Sequence, residues 1–365
     1  MTEQRDGSMS VATGPDAAGE ARQEILRAIS PASLPDPELH RRIVGWMQAA
    51  APNTVRAIRS DLRIVEAYQR IRNCPTLPLT PHALYLLVDE QSRAGKRKAS
   101  LNRLIASLVR LHALAGFPNC VDDNVRWKLK ELARIDKRTV KQAFGLRLKG
   151  DTLDVVADVP KPLSVMRLLD SIPDDPRGLR DCALISMAYD AGLRRSELVR
   201  IQVEHIERLT NGDASLFIPR SKTDQAGDGA RAWLSARSIK HVDAWLGRAA
   251  IEAGYVFRSL SYRVASTGHL ADGAVSKILQ QRVAHLLEQL KNDGELSDDE
   301  LAKAAVRVSS HSLRVGCDQD LFAAGVDIGA IMQGLRWSSP KQPLAYARHL
   351  APATSKLAAT MRLAT

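Results

Sequence analysis

Four short patterns in the second half of the chain carry side chains suited to more than packing. Gly192-Leu193-Arg194-Arg195-Ser196-Glu197-Leu198 ends one helical pattern at a glycine and begins another, with Arg194 at the turn and Glu197 on the same side one turn later. Arg220-Ser221-Lys222-Thr223 falls in the turn between two predicted strands. His311-Ser312-Leu313-Arg314 is an HxxR sequence, and a helical rise projects its histidine and arginine from one face. The run from Trp337 to Tyr346 adds an indole and a phenol. Guanidinium groups hold anions through paired N–H donors, imidazole carries protons near neutral pH, and a phenol becomes a nucleophile once its proton is taken.

Each pattern also has an ordinary reading. Arg194 and Glu197, three apart, make a surface ion pair worth about 0.2–0.5 kcal/mol. Lys222 suits a solvated turn, and His311 and Arg314 suit capping or solvent positions. Trp337 and Tyr346 suit core duty in a chain with only 5 Trp and 6 Tyr. Taken singly, each ordinary reading prevails; taken as an ordered set, they do not.

The elements that must position these groups divide into two regions, the expected count for 365 residues. Residues 1–20 are polar and read as a disordered tail, with neither the apolar segment nor the cleavage site of a secretion signal. Helical periodicity then runs over 21–140, in Pro37–Gln48, Asn53–Arg72, Pro81–Ala94, Lys98–Ala115 and Asp122–Lys137. Within Asn53–Arg72, Val55, Ile58, Leu62 and Val65 point inward beside Arg56, Arg59, Arg63 and Arg70. Within Lys98–Ala115, Leu101, Leu104, Ile105, Leu108 and Leu111 form the apolar stripe, while Arg103, Ser107 and Arg110 take another face. Such helices can pack on their own domain and face phosphates, or carry ordinary solvated arginines.

Residues 141–155 loosen into a glycine-containing linker, with the boundary near Lys149. The second region, 156–350, opens with helices at Leu163–Ser171 and Arg177–Ala191. It continues through strands at Gln202–Ile206, Ser215–Pro219 and Ala230–Ser235, then reads as helices to the C-terminus. Residues 351–365 form a short helix with Leu357, Met361 and Leu363 on one side.

Charge narrows the partner. Between Arg93 and Lys149 there are 15 Lys/Arg against 4 Asp/Glu, so this stretch carries the whole net excess of +11 and the remainder is neutral. A concentrated excess is the footprint of a nucleic-acid binder, or else a solvated basic face. No run of about 18 apolar residues suggests a membrane span. Cys74, Cys120, Cys182 and Cys317 lie too far apart for CxxC or CxxH pairs, so neither zinc nor disulfides are expected, and reduced cytoplasmic thiols are.

The order Arg–Glu, turn lysine, HxxR, Trp, Tyr resembles the tyrosine recombinase (phage integrase) family, as do Ala323-Ala324-Gly325-Val326 and Ile331-Met332-Gln333. The likeness spans the second region; the first is similar, less specifically, to the family's core-binding domain. It implies a mainly α fold: a helical N-terminal domain plus an α+β catalytic domain with a small antiparallel sheet, forming a clamp around DNA.

The resemblance also implies site-specific cutting and rejoining of duplex DNA, with Tyr346 as nucleophile of a 3′-phosphotyrosyl link. Arg194 and Arg314 would clamp the phosphate, His311 would handle the phenol proton and Lys222 would protonate the leaving 5′ oxygen. Trp337 would donate its N–H and Glu197 would orient the site. Inverted-repeat DNA sites, a homo-tetramer joined through residues 351–365, and no metal, cofactor, ATP, membrane or small-molecule substrate follow from the same likeness. So does a cytoplasmic bacterial or phage-encoded, nucleoid-associated location. Arg56, Arg59, Arg63, Arg103 and Arg110 are the candidate DNA contacts, with Arg59, Arg103 and Arg110 reading bases.

Arg336, beside Trp337, departs from the family, where many relatives have glycine. Two rival readings share these residues: a type IB topoisomerase-like nicking-closing enzyme, and a non-catalytic DNA-binding regulator.

Overall fold

The computed structural model describes residues 17–29, 37–135, 143–150, 163–219, 229–261, 264–295, 308–348, 350 and 360–361. The chain divides into two compact units, Met1–Thr139 and Val140–Thr365.

The first unit is helical: α1 (Ala17–Ile29), α2 (Pro37–Ala49), α3 (Pro52–Arg70), α4 (Pro81–Arg93), α5 (Lys98–Ala115) and α6 (Asp123–Ile135). Apolar residues three and four apart give each helix one buried stripe. Val55, Ile58, Leu62 and Val65 of α3 and Leu101, Leu104, Leu108 and Leu111 of α5 meet Ile25, Ile43 and Leu84 in one core. Thr80 caps α4 by accepting from Ala83 N–H at 3.2 Å, and Pro81 occupies the first turn, where no N–H is needed. Helix α5 ends at Gly116 in the left-handed conformation (φ +73°).

The second unit is built on α8 (Pro176–Asp190), which follows α7 (Val165–Asp170) and is buried from Arg180 to Tyr189. Burial on nearly all sides comes from α10 (Ala236–Ala249), α12 (Ser312–Ala323) and β3 (Ala230–Leu234). A three-stranded antiparallel sheet, β1 (Ile206–Arg208), β2 (Ala214–Ile218) and β3, turns Ala214, Leu216 and Ile218 inward. A hairpin, β4 (Arg258–Ser261) with β5 (Val264–His269), and α11 (Asp272–Asn292) precede α12. Helices α9 (Arg195–Leu198), α13 (Ile328–Gly334) and α14 (Lys341–Ala347) are short. Buried Asp190 ties the start of α10 to the end of α8, accepting from Ser235 N–H at 2.9 Å and from Arg237 at 2.6 Å.

Several expectations are corrected. The segment read as a linker is partly core: Leu146 is fully buried in the second unit and donates its N–H to Ser312 O at 3.0 Å. Arg147 Nε and Leu148 N–H both bond the Asp320 carboxylate, at 2.6 and 2.7 Å. The division therefore falls at residues 139–140, ahead of Lys149. A Cβ at Gly316 would lie 1.9 Å from Leu146 O, so only glycine lets this segment cross α12.

The polar tail is helical from Ala17, and residues 1–16 lie outside the described residues. The first predicted strand is displaced: Val203–His205 form a 3-10 turn closed by Gln202 N–H on His205 Nδ1 at 3.1 Å, and β1 follows it. The β4–β5 hairpin interrupts the run predicted as helical; its side chains are largely exposed, so no alternation marks it. The predicted C-terminal helix lies outside the described residues except at Thr360 and Met361. No described helix is long and apolar enough to cross a membrane.

Candidate active site

Helix α8 stops where Gly192 turns with positive φ (+52°), a position where a Cβ would meet Leu335 Cδ2 at 2.5 Å. Buried Leu193 anchors the turn, and Arg194 emerges as the N-cap of α9. Glu197, in the first turn, accepts the Arg194 backbone N–H at 3.0 Å and its Nη1 at 2.6 Å. The short i,i+3 pair readable in the sequence is therefore no surface pair. Glu197 is 4% exposed and holds Arg194 at both ends.

His311 caps α12, and Arg314 lies one turn inside it, fully buried. Arg314 donates through Nη1 to Gly192 O and through Nη2 to Leu335 O, and its guanidinium lies 4.1 Å from the centre of the Trp337 ring. Trp337 meets Tyr346 edge-on, with ring centres 5.8 Å apart. Tyr346, on α14, completes the chain of contacts: its Oη lies 2.6 Å from His311 Nε2. Gln319 Nε2 donates to Tyr346 O at 3.1 Å and fixes the backbone behind the phenol. Arg194, Glu197, His311, Arg314, Trp337 and Tyr346 thus form one cluster. Lys222 lies outside the described residues.

The electrostatics favour a neutral imidazole. Burial, reinforced by Arg314 and Arg194, pushes His311 down to about 4. In the tautomer with its proton on Nδ1, a neutral ring accepts a hydrogen bond from the Tyr346 hydroxyl at Nε2. Burial raises Tyr346 above the usual phenol range, and Arg314 offsets only part of the rise. Burial also lowers Arg314 to about 10, with Arg194 and Arg336 adding to the shift, so it stays a cation at neutral pH. Three buried N–H donors of the cluster, Arg314 Nε, Arg336 Nε and Trp337 Nε1, have no acceptor among the described residues. Unpaired buried donors are costly, and a cationic group of them suits an oxygen-rich anion.

Spacing alone does not make the site. His205 and Arg208 also form an HxxR, yet His205 closes the 3-10 turn and Arg208 pairs with Asp243. The sequence marks Arg336 only as a departure beside Trp337, and it does not mark Asp318 at all. Asp318, one turn beyond Arg314, is fully buried, and neither carboxylate oxygen has a partner among the described residues; burial raises it to about 7. Arg336 adopts φ +57°, a conformation costing about 1–2 kcal/mol outside glycine. It turns into the protein, donating to Ala191 O at 2.9 Å and lying 3.5 Å from Glu197 Oε2.

In the first unit, the arginine stripes are less open than expected. Arg59 is engaged within the unit: its Nε and Nη2 bond Glu24 at 2.6 and 2.5 Å, and its side chain is 18% exposed. Arg63 stays exposed but shares Glu24 at 3.1 Å. Arg103 is half exposed and anchored at 2.8 Å by buried Asp61, which Ser107 also bonds at 2.7 Å. Arg56 and Arg110 are exposed.

Comparison with known proteins agrees with this architecture. The chain is 28% identical over 308 residues to the recombinase cre of Escherichia phage P1, covering 83% of this chain and 86% of that one. It is 25% identical over 309 residues to an integrase/recombinase xerD homolog of Selenomonas ruminantium, covering 80% and 81%. Among solved structures, the XerH site-specific recombinase bound to palindromic difH superposes with a TM-score of 0.58 at 12% identity over 94% of each chain. The Tn1549 transposon integrase bound to transposon right end DNA gives 0.56 at 14% identity, covering 95% and 99%. These two likenesses concern the fold. Residues 46–116 match the phage integrase N-terminal SAM-like domain and residues 161–352 the phage integrase family, so the chain belongs to the phage integrase family of tyrosine recombinases.

Proposed function

We propose that this recombinase cleaves and rejoins duplex DNA at specific sites through Tyr346, exchanging strands between two sites. The carrying observation is the 2.6 Å contact between Tyr346 Oη and His311 Nε2, with the unpartnered donors of Arg314 and Trp337 in the same cluster. Tyr346 Oη attacks the phosphorus, its proton passes to His311 Nε2, and the bond to the 5′ oxygen breaks. Arg194 and Arg314 neutralise the charge that grows on the non-bridging oxygens, and Trp337 adds its indole N–H. Lys222 is the proposed donor to the leaving 5′ oxygen. Attack by a 5′-hydroxyl of another strand reverses each transfer and frees Tyr346. One ester bond replaces another at each step, so neither ATP nor a metal is needed for the balance.

The DNA partner is supported by the net charge of +11 and by relatives solved with palindromic difH and with transposon-end DNA. We extend the palindromic arrangement to this chain as inverted-repeat sites bound by a homo-tetramer.

The test is recovery of covalent protein–DNA adducts without crosslinker, followed by sequencing of the attached fragments. Adducts at one inverted-repeat site, absent with Tyr346→Phe, are the expected result. Adducts scattered without sequence preference would mean nicking and closing of any duplex. Tight, salt-sensitive binding without adducts would mean a regulator, and either outcome overturns the proposal.

A further inference from the structure

We propose that Arg336 is a positioning residue for DNA cleavage, fixing Arg194 through Glu197 and Arg314 through the Gly192 carbonyl without touching DNA itself. The inference rests on the cleavage reading above. It starts from a position where the sequence favours glycine on backbone grounds, since φ is +57°, yet supplies the largest cation available.

That cation is not spent on solvent. The Arg336 side chain is 7% exposed, and its Nη2 faces three oxygens: Ala191 O at 2.9 Å, Gly192 O at 3.3 Å and Glu197 Oε2 at 3.5 Å. Its Nε is buried without an acceptor among the described residues, so the salt slope of DNA binding separates positioning from a phosphate contact. Ala191 and Gly192 stand at the C-terminal end of α8, where carbonyls lack helical donors and the helix dipole is negative. Arg336 therefore satisfies the helix end that immediately precedes Arg194.

Two of the three oxygens are shared with the proposed phosphate clamp. Gly192 O also accepts from Arg314 Nη1. Glu197 Oε2 also accepts the Arg194 backbone N–H, while Oε1 takes Arg194 Nη1. Three guanidinium groups are thus referenced to one buried carboxylate and one carbonyl. A planar fork can meet diverging oxygens from one fixed plane; an ammonium on a flexible stem cannot hold the same geometry. With glycine at 336, Glu197 would keep Arg194 as its one ion-pair partner among the described residues and be free to turn with it. The effect belongs to the transition state, where clamp geometry matters most, and not to ground-state DNA binding.

The experiment uses full-length protein and a nicked duplex carrying the site recovered from wild-type adducts. Wild-type adduct formation on this duplex tests the cleavage reading by itself; without it, that reading fails and this inference with it. Arg336→Gly is expected to fold, because glycine accepts the backbone and offsets part of what the helix end loses. It should bind the duplex within about threefold of wild type with the same salt slope, yet form adduct about 10- to 100-fold more slowly in single turnover. Arg336→Lys should recover part of the rate. In a Glu197→Gln background, adding Arg336→Gly should cost less than about threefold, because both changes release the same pair. Three results would each overturn the inference: a wild-type rate in Arg336→Gly, a salt slope reduced by about one phosphate contact, or an undiminished loss in the Glu197→Gln background.

Discussion

His311 Nε2 and Tyr346 Oη lie 2.6 Å apart, although 35 residues and two intervening helix ends separate them in the chain. The contact joins the start of α12 to α14, so the imidazole and the phenol are placed by different elements. Tyr346→Phe removes one oxygen atom and leaves the ring contact with Trp337. DNA binding should stay within about threefold of wild type by mobility shift, and covalent adduct should vanish on denaturing gels.

Arg194→Ala should lower single-turnover cleavage by about 10²–10³-fold, or about 3–4 kcal/mol, as for loss of one preorganised donor to a growing charge. A loss below about tenfold would remove Arg194 from the clamp. Arg314 is a poorer first target, because its removal also strips donors from Gly192 O and Leu335 O.

Two buried groups should shape stability against pH in opposite senses. His311, lowered to about 4 in the fold, binds its proton more weakly than in the unfolded chain, so its contribution is lost as pH falls from about 6.5 toward 4. Asp318, raised to about 7, binds its proton more tightly in the fold, so its contribution is lost as pH rises from about 4 toward 7. The two slopes offset each other in the wild type. Asp318→Asn should therefore melt progressively lower as pH drops from 7 to 5, and His311→Gln should melt progressively higher. Parallel melting curves for all three proteins would remove both groups from the balance.

Gly316→Ala should destabilise the second unit by about 1–3 kcal/mol or prevent its folding, because the new Cβ meets backbone at Leu146 O and not a yielding side chain. Urea unfolding of the full chain measures it.

The exposed and the engaged arginines of the first unit should separate in DNA titrations against salt. Arg110→Ala should reduce the log–log slope by about one phosphate contact. Arg59→Ala should leave the slope unchanged and lower the melting temperature, since its guanidinium joins α3 to Glu24 of α1.

The sequence discloses most where the deciding contacts are local. Helix α5 runs from Lys98 to Ala115 as its apolar stripe requires, and Thr80-Pro81 marks the start of α4. It discloses least where the partner is remote. Nothing near Arg59 shows that Glu24, 35 residues earlier, will claim it. Leu146 and Arg147 look like linker because their burial depends on Gly316 and Asp320. Within the site, the order of Arg194, Glu197, His311, Arg314, Trp337 and Tyr346 marks the cluster through its family likeness. The inward turn of Arg336 and the unpartnered Asp318 carboxylate arise only from packing.

The irregular segment at residues 143–150 has a practical meaning for anyone dividing this protein. A fragment begun at residue 156, where periodicity resumes, would discard Leu146, Arg147 and Leu148. Asp320 would keep Tyr189 as a donor but lose Arg147 Nε and Leu148 N–H, and Ser312 O would lose its bond beside His311. The amputated piece is an internal splint for the turn that carries His311, so a fragment that preserves that turn must begin ahead of Leu146.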